Sequence, residues 1–382
     1  MKSTYPMKIL QLGKFHPILG GVEKVMYDLM TGLASKGVAC DMMCAAAEGA
    51  GGETRVGDHA TLITCRTAFK ASSTMLAPSM ALKLRKICGQ YDIIHIHHPD
   101  PMACAALFLS GYKGRVVLHW HSDILKNRAL LSAYRPLQDW LVRRADRIVG
   151  TTPVYVRESP YLRGVQSKTT WIPIGVRPMR PDPQSVAGIR AGYGHRKIIF
   201  SLGRLVPYKG YRFLIDAARY LDDSYIVLIG GSGPLRDSLQ RQIDTAGLAD
   251  KVKLLGFIPD EGLPSWFGAC DLFCFSSIYK TEACGIAQIE AMSCGKPVVA
   301  TDIPGSGVPW VNVHGYSGLN VPPGDSEALA RAIKGIMVSD TAYRTYSVHA
   351  ESRYKTMFTE DKMINDCIDL YEELLFRKPG IL

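Results

Sequence analysis

Residues 281–301 read T-E-A-C-G-I-A-Q-I-E-A-M-S-C-G-K-P-V-V-A-T, from Thr281 to Thr301. Two carboxylates, Glu282 and Glu290, stand eight positions apart with Gly285 between them. Ile286, Ile289 and Met292 follow at helical spacing, so a helix is expected to begin at the glycine. Gly295 is placed to end it, because glycine accepts the left-handed conformation of a helix C-cap. Pro297-Val298-Val299-Ala300 then reads as a short buried strand. Glu282 is therefore expected in the loop before the helix, and Glu290 one to two turns into it. Unsatisfied backbone N–H groups at the helix start, around Gly285, Ile286 and Ala287, attract anions. An anion pocket with two hydroxyl-accepting carboxylates suits a sugar joined to a diphosphate.

The 382 residues are too many for one ordinary core and fit two domains. No apolar run approaches the ~20 residues that a membrane span needs. The N-terminus shows no signal-peptide core, so nothing points to export. Ten cysteines without a C-x-x-C pair point to reduced thiols in a cytosolic protein. Cys270 and Cys274 are read as core, not as ligands.

The net charge of +10 lies wholly in the first half. Residues 1–175 hold 22 Lys and Arg against 12 Asp and Glu, and the remainder hold 23 of each. Such an excess fits a face that meets an anionic membrane or a diphosphate-bearing acceptor, and equally fits ordinary solubilising charge. No aromatic-interleaved basic motif accompanies it, which argues against a nucleic-acid partner.

Along the chain, Met7 to Leu12 is a strand candidate and Gly13 to Gly21 a glycine-bearing loop. A helix with Val22, Val25, Met26, Leu29 and Leu33 on one face follows, then a strand over 38–44. This β-α-β opening implies a parallel sheet. Gly20-Gly21 lets backbone approach a ligand at a helix start. It is not G-x-G-x-x-G, and no acidic residue stands where a dinucleotide ribose would need one, so a dehydrogenase is rejected. Residues 46–58 read as a flexible loop. Residues 66–88 mix Arg66, Lys70, Lys83, Arg85 and Lys86 with apolar residues: a lipid-touching segment, or a helix on the sheet with a cationic outer face.

Two strand ends carry five histidines, His95, His97 and His98 in one and His119 and His121 in the other. A zinc site would need three or four converging side chains with open geometry. No metal is assigned to them. Residues 124–147 read as a long amphipathic helix interrupted at Pro136, and Ile148 to Thr152 as the last strand of a first domain. Pro178, Pro181 and Pro183 read as a stiffened linker. The pattern then restarts. Lys197 to Leu202 is a strand that ends in G-R-L-V-P-Y-K-G, with Arg204 and Lys209 on the loop after it, where open α/β sheets bind ligands. A diphosphate leaving group needs such cations. Tyr225 to Ile229 is followed by Gly231 and Gly233, and Val252 to Leu255 by G-F-I-P-D. Asp325 is placed to cap a helix, and residues 360–375 form an amphipathic helix.

E-x7-E followed by A-M-x-x-G-x-P-V resembles the signature of family 4 of the retaining glycosyltransferases. P-x-x-G-G-V-E at 17–23, W-I-P-I-G-V at 171–176, R-x4-K-G at 204–210 and G-L-N-V-P-P-G-D at 318–325 are similar to family strings as well. The string D-I-P-G-S-G-V-P-W-V departs from it, with Pro309 and Trp310 where a glutamate is commoner. The resemblance implies the α/β GT-B fold, two Rossmann-like domains facing across a cleft. Residues 1–175 would bind the acceptor and 176–359 the nucleotide sugar, with 360–382 crossing back to the first domain. It implies roles as well. Arg204 and Lys209 would clamp the diphosphate without a metal or other cofactor. Glu282 would accept from sugar hydroxyls and Glu290 from the ribose. His121, in H-S-D, would sit by the reacting carbon. Gly20, Gly21, Gly233 and the start at Gly285-Ile286-Ala287 would line the donor, Phe257 and Ile258 the base. His16 and Asp123 would face the acceptor, Asp123 being alternatively an exposed loop residue.

The function expected is transfer of a hexose, mannose from GDP-mannose, to a polyprenyl-diphosphate-linked glycan in O-antigen-type synthesis. The place expected is the cytoplasm, peripheral on the inner membrane face. A UDP-sugar-dependent transferase, a nucleotide-sugar 2-epimerase and a non-catalytic subunit remain as alternatives.

Overall fold

The computed structural model describes residues 7–18, 20–71, 74–124 and 128–376. In chain order it contains β1 (Lys8–His16), α1 (Gly21–Ser35), β2 (Ala39–Ala46), β3 (Gly51–Gly57), β4 (Ala60–Arg66), β5 (Phe69–Ala71), β6 (Thr74–Leu76), α2 (Ser79–Ile87), β7 (Ile93–His98), α3 (Pro101–Ser110), β8 (Arg115–Trp120), α4 (Arg128–Arg144), β9 (Arg147–Gly150), α5 (Pro153–Glu158) and β10 (Thr169–Trp171). Then come α6 (Pro183–Ala191), β11 (Lys197–Leu202), α7 (Tyr211–Ala217), β12 (Tyr225–Gly230), α8 (Arg236–Thr245), β13 (Val252–Gly256), α9 (Leu263–Ala269), β14 (Leu272–Phe275), α10 (Ile286–Ser293), β15 (Val298–Thr301), α11 (Val308–Val311), β16 (Gly318–Val321), α12 (Ser326–Ile336), α13 (Asp340–Met357) and α14 (Glu360–Phe376). They form two compact units, Met1–Gly175 with Glu360–Leu382, and Val176–Thr359.

The first unit holds an eight-stranded sheet in the order β10-β9-β8-β7-β1-β2-β4-β3. Every pairing is parallel except β3 with β4. A parallel sheet is covered on both faces, so its central strands are buried along their whole length. β7 (I-I-H-I-H-H) is buried at all six positions, histidines included. The strand order reverses between β1 and β7. Ligands of open α/β sheets bind beyond the carboxyl ends of the strands at such a reversal. The loops after β1, β7 and β8 are therefore where this unit would receive a ligand.

The second unit has one six-stranded parallel sheet, β13-β12-β11-β14-β15-β16. Its core gathers Ile199, Leu214, Ile215, Ile229, Leu329 and Ile333 from strands and helices on one face. Here the order reverses between β11 and β14, which singles out the loops at 203–210 and 276–285.

Several local expectations are corrected. β1 does not stop at Leu12; it runs to His16 through a register shift between Leu12 and Phe15. Lys14 at the shift has φ of +57°, which no sequence rule for lysine foretells. Leu19 of the loop after β1 lies outside the described residues. Residues 46–58 are not simply a loop, since 51–57 form edge strand β3, pinned antiparallel on β4. Its small polar residues are exposed, as an edge strand allows. Of the described residues in 66–88, those of α2 form the α-helix, followed by a 3-10 turn that starts at Cys88. The α-helix buries Met80 and Leu84 and turns Arg85 and Lys86 outward. Ser72 and Ser73 of that segment, and residues 125–127 of the following one, lie outside the described residues. α4 passes through Pro136 without ending. The proline sits on the exposed face, where the carbonyl it deprives can turn to water. Pro183 is not linker; it is the first residue of α6, with Asp182 as the N-cap accepting from Ser185 N at 2.7 Å.

Candidate active site

In the second unit two loops cross backbone to backbone. Gly231 and Gly233 follow β12 with φ of +129° and +157°. A Cβ on Gly231 would lie 2.0 Å from the Gly203 carbonyl oxygen, and one on Gly233 2.6 Å from that of Leu205. Leu205 N donates to Ser232 O at 2.8 Å. Only glycine allows this approach, which sets the loop carrying Arg204 against the turn after β12. Arg204 is exposed, and among the described residues its guanidinium has no protein partner. Its cation is left facing solvent.

Lys209 is different. Its ammonium lies 2.5 Å from Glu282 Oε2 and 4.8 Å above the Phe275 ring. Both side chains are about seven-eighths buried, at 13 % and 12 % exposure. Glu282 Oε2 also accepts from Ser277 Oγ at 2.9 Å. Ser276 Oγ donates to the Lys209 carbonyl at 2.9 Å, and Ile278 N to that of Tyr208 at 2.8 Å. The loops after β11 and β14 are thus tied together at the strand-order reversal, with one cation and one carboxylate facing each other. Tyr211, wholly buried below, has its hydroxyl pushed well above the ordinary tyrosine range, by burial first and then by the Glu282 charge.

Gly285 caps α10 with φ of +78°, a conformation that suits glycine, and Glu290 lies one turn in and buried. Phe257 is exposed and Ile258 buried. Pro309 and Trp310, the departure from the family string, lie in the short α11. Trp310 packs edge-on against Phe358, 5.8 Å between centroids, and the Arg353 guanidinium stands 5.2 Å over its indole. These residues bind α11 to α13.

In the first unit β7 and β8 run in register, His97 opposite His119. Side chains two apart share a face, so His95, His97, His119 and His121 come together on one side of adjacent strands. Their rings stack with centroids 4.1–5.2 Å apart. His98, on the other face, lies flat on Trp120 at 3.7 Å. Burial holds all five well below the ordinary imidazole range, with His98 and His119 pushed down to about 3. They are neutral rings. His95, His97 and His119 offer nitrogens within 4.8 Å of one another. Stacked rings, however, aim their in-plane lone pairs side by side, and His97 uses both nitrogens in hydrogen bonds. The group does not converge as a tetrahedral site requires.

His16 is half-buried, its ring 6.5 Å from Tyr27. Gly20 is the N-cap of α1 and Gly21 its first residue. Asp123 is not an exposed loop residue. It is buried, and its Oδ1 accepts from Trp120 Nε1 at 2.9 Å and Ser159 Oγ at 2.7 Å. Two residues passed over in the sequence matter here. Asp100 caps α3 through Met102 N and Ala103 N and also accepts from Lys14 N. Lys14 Nζ donates to the Pro99 carbonyl at 2.6 Å. This pair joins the end of β1 to the loop after β7. The dipeptide Asp100-Pro101 carried the N-cap signal; Lys14 carried none.

Two doubly wound units with their polar loops at the sheet reversals are the GT-B architecture of sugar-transferring enzymes. The chain matches a structure of Anabaena HepE in complex with UDP and glucose at TM-score 0.78 and 23 % identity, over 96 % of this chain and 100 % of that one. Residues 189–352 match the family Glycosyl transferases group 1, and 19–180 match Glycosyltransferase Family 4. The chain is 32 % identical to O-antigen chain mannosyltransferase C of Escherichia coli, over 97 % of its own length and 100 % of that protein's. It is 30 % identical to D-rhamnosyltransferase WbpZ of Pseudomonas aeruginosa, over 92 % of each. This chain belongs to the family 4 glycosyltransferases and is a glycosyltransferase.

Proposed function

We propose that this enzyme transfers mannose from GDP-mannose, with retention of configuration, to a lipid-linked or glycan acceptor during assembly of a cell-surface polysaccharide. Full-length similarity to an O-antigen mannosyltransferase carries the sugar and the acceptor class. The chemistry rests on the facing of Lys209 and Glu282 at the reversal of the second sheet. Arg204, Lys209 and the start of α10 at Gly285, Ile286 and Ala287 take up the charge that grows on the departing diphosphate. Those cations would do the work of a divalent metal. Glu282 accepts from sugar hydroxyls, and Glu290 from the ribose. Gly20, Gly21 and Gly233 admit the phosphates closely, and Phe257 and Ile258 border the base. His121 lies by the anomeric carbon, and attack comes from the face the leaving phosphate vacates. His16 borders the acceptor. Residues 1–175 bind that acceptor and 176–359 the donor, with 360–382 attached to the former. The positive charge of the first half supports peripheral attachment to an anionic membrane, and no described helix is long and apolar enough to cross one.

The test is thermal stability with EDTA present, comparing GDP, GDP-mannose, UDP, ADP and their sugar conjugates. A ligand selective for the folded state at a hundred times its Kd stabilises it by about 2.7 kcal/mol. A shift with the guanosine ligands alone supports the reading. A shift with UDP-sugars alone discards mannose, and a requirement for Mg²⁺ discards the metal-free clamp. A second reading, transfer of a deoxyhexose, follows from the D-rhamnosyltransferase relative. Turnover of GDP-mannose by the purified chain decides between them.

A further inference from the structure

One continuous run of hydrogen bonds threads the first unit. His121 Nε2 lies 2.8 Å from His97 Nδ1, and His97 Nε2 lies 2.8 Å from Gln11 Oε1. Gln11 Nε2 points to Tyr371 Oη at 3.4 Å and Cys40 Sγ at 3.7 Å. Tyr371 Oη lies 2.6 Å from His95 Nδ1. The members come from β1, β7, the loop after β8 and α14. Gln11, His95, His97 and Tyr371 are fully buried, and His121 alone keeps a trace of exposure, 5 %.

The chemistry of each group fixes the direction of the run. The amide nitrogen of Gln11 faces the tyrosine, so its carbonyl oxygen faces His97. A carbonyl only accepts, so His97 Nε2 carries a proton. A neutral imidazole has one proton, so His97 Nδ1 is bare and can only accept. His121 Nε2, facing it, must then donate, and His121 Nδ1 is left bare. Neutrality is secured by burial, which holds both rings well below the ordinary imidazole range. Stacking of His121 on His119, 4.1 Å between centroids and 7° between planes, fixes the ring plane as well.

We infer that Gln11 and Tyr371, acting through His97, lock His121 in its Nε2–H tautomer and present Nδ1 as a hydrogen-bond acceptor for a hydroxyl of the bound sugar. They are positioning residues. The inference rests on the proposed place of His121 beside that sugar. It also explains why an amide stands at position 11. A carboxylate there would draw a second proton onto His97 and charge the whole run, whereas the amide orients without charging. A bare Nδ1 can accept from a hydroxyl but cannot donate to a carbonyl or ether oxygen, so the site reads hydroxyl-bearing sugars.

The test uses the full chain with ¹⁵N-labelled histidine, because protonated and bare ring nitrogens differ widely in ¹⁵N shift. His97 and His121 are assigned by loss of signal in His97→Gln and His121→Gln. The inference requires both to be neutral Nε2–H tautomers from pH 8 to pH 6. Gln11→Leu and Tyr371→Phe should lower kcat by about tenfold or more while the donor KM stays within about twofold. In Gln11→Leu the His121 signal should divide between tautomers. Gln11→Glu should raise the proton affinity of His97; the added proton sits on His97 Nδ1, so His121 Nε2 must then accept, the His121 tautomer inverts, and kcat gains a new pH dependence. A wild-type His121 protonated on Nδ1 overturns the inference, and that measurement stands even where a variant fails to fold. So does a Gln11→Leu enzyme with divided tautomers and unchanged kcat. Normal transfer by His121→Ala, with the Nε2–H tautomer observed, instead removes His121 from the sugar and leaves only the lock.

Discussion

The side chain that most repays attention is Glu282, because it does two things. It balances the Lys209 ammonium at 2.5 Å and accepts from Ser277, and under the proposed function it accepts from the donor sugar. Glu282→Ala would confuse these effects by leaving a nearly buried cation without its partner. Glu282→Gln keeps the size and the oxygen that Ser277 needs. We expect Glu282→Gln to fold and to lose at least about a hundredfold in kcat/KM, about 2.7 kcal/mol of transition-state binding. Activity within a few-fold of wild type would remove Glu282 from the chemistry. Gly233→Ala acts through backbone instead. Its Cβ has no room beside Leu205, so the loop must part from its neighbour. Donor affinity should fall at least about tenfold, measured by GDP titration, and an unchanged Kd would show the loop contact to be irrelevant to binding.

Paired strands carry the acid sensitivity. His98 and His119 titrate near 6.5 when unfolded and near 3 when folded. Between those values the unfolded chain binds protons that the folded chain refuses. Stability is therefore complete above about pH 6.5 and falls as pH drops toward 3, by about 1.4 kcal/mol per pH unit for each such ring. His95, His97 and His121 shift in the same direction. His119→Leu should flatten the fall of Tm between pH 6.5 and 5. Among the described residues neither His119 ring nitrogen has a partner, so this change should cost little at pH 8. A Tm profile as steep as wild type would show His119 to be protonated in the fold. At α11, Trp310→Ala should cost about 2 kcal/mol by urea unfolding, since a half-buried indole and its cation contact are lost. No loss would mean that α11 is not held by Trp310.

These elements show what the sequence could and could not disclose. The run from Glu282 to Val299 was legible because glycine, proline and helical spacing are local signals, and a helix 286–293 with a strand 298–301 follows them. Arg204 and Lys209 were legible as loop cations for the same reason. That Lys209 faces Glu282 was not, because their meeting depends on the order β11-β14, which no local pattern encodes. The histidines were visible as a cluster on two strands. Their common face became known only once β7 and β8 proved adjacent and in register. Edge strand β3 was missed because an exposed edge needs no apolar alternation, and Lys14 because a strained backbone leaves no mark on residue type.

For the whole molecule the informative element is α14. It follows the second unit in sequence yet belongs to the first, where Met363, Ile364, Cys367 and Tyr371 are buried. It crosses α1 closely, since a Cβ on Gly32 would fall 2.0 Å from Ile364 Cδ1. A chain ending at residue 359 should lose stability in the first unit alone. Calorimetry of the full and shortened chains should show one transition lowered and that of the second unit preserved. A uniform decrease would mean that the units do not unfold independently.

Helix α14 also separates the order of synthesis from the order of completion. Segment 176–359 leaves the ribosome whole and can close its own core, whereas the older half must wait for a helix not yet made. Domains usually finish in the order in which they are translated; here the elder finishes last. Because that late helix brings Tyr371 to Gln11 and His95, a message read short would yield a protein with an intact second unit and an unfinished histidine run. The late arrival of α14 thus serves as a seal on the first unit.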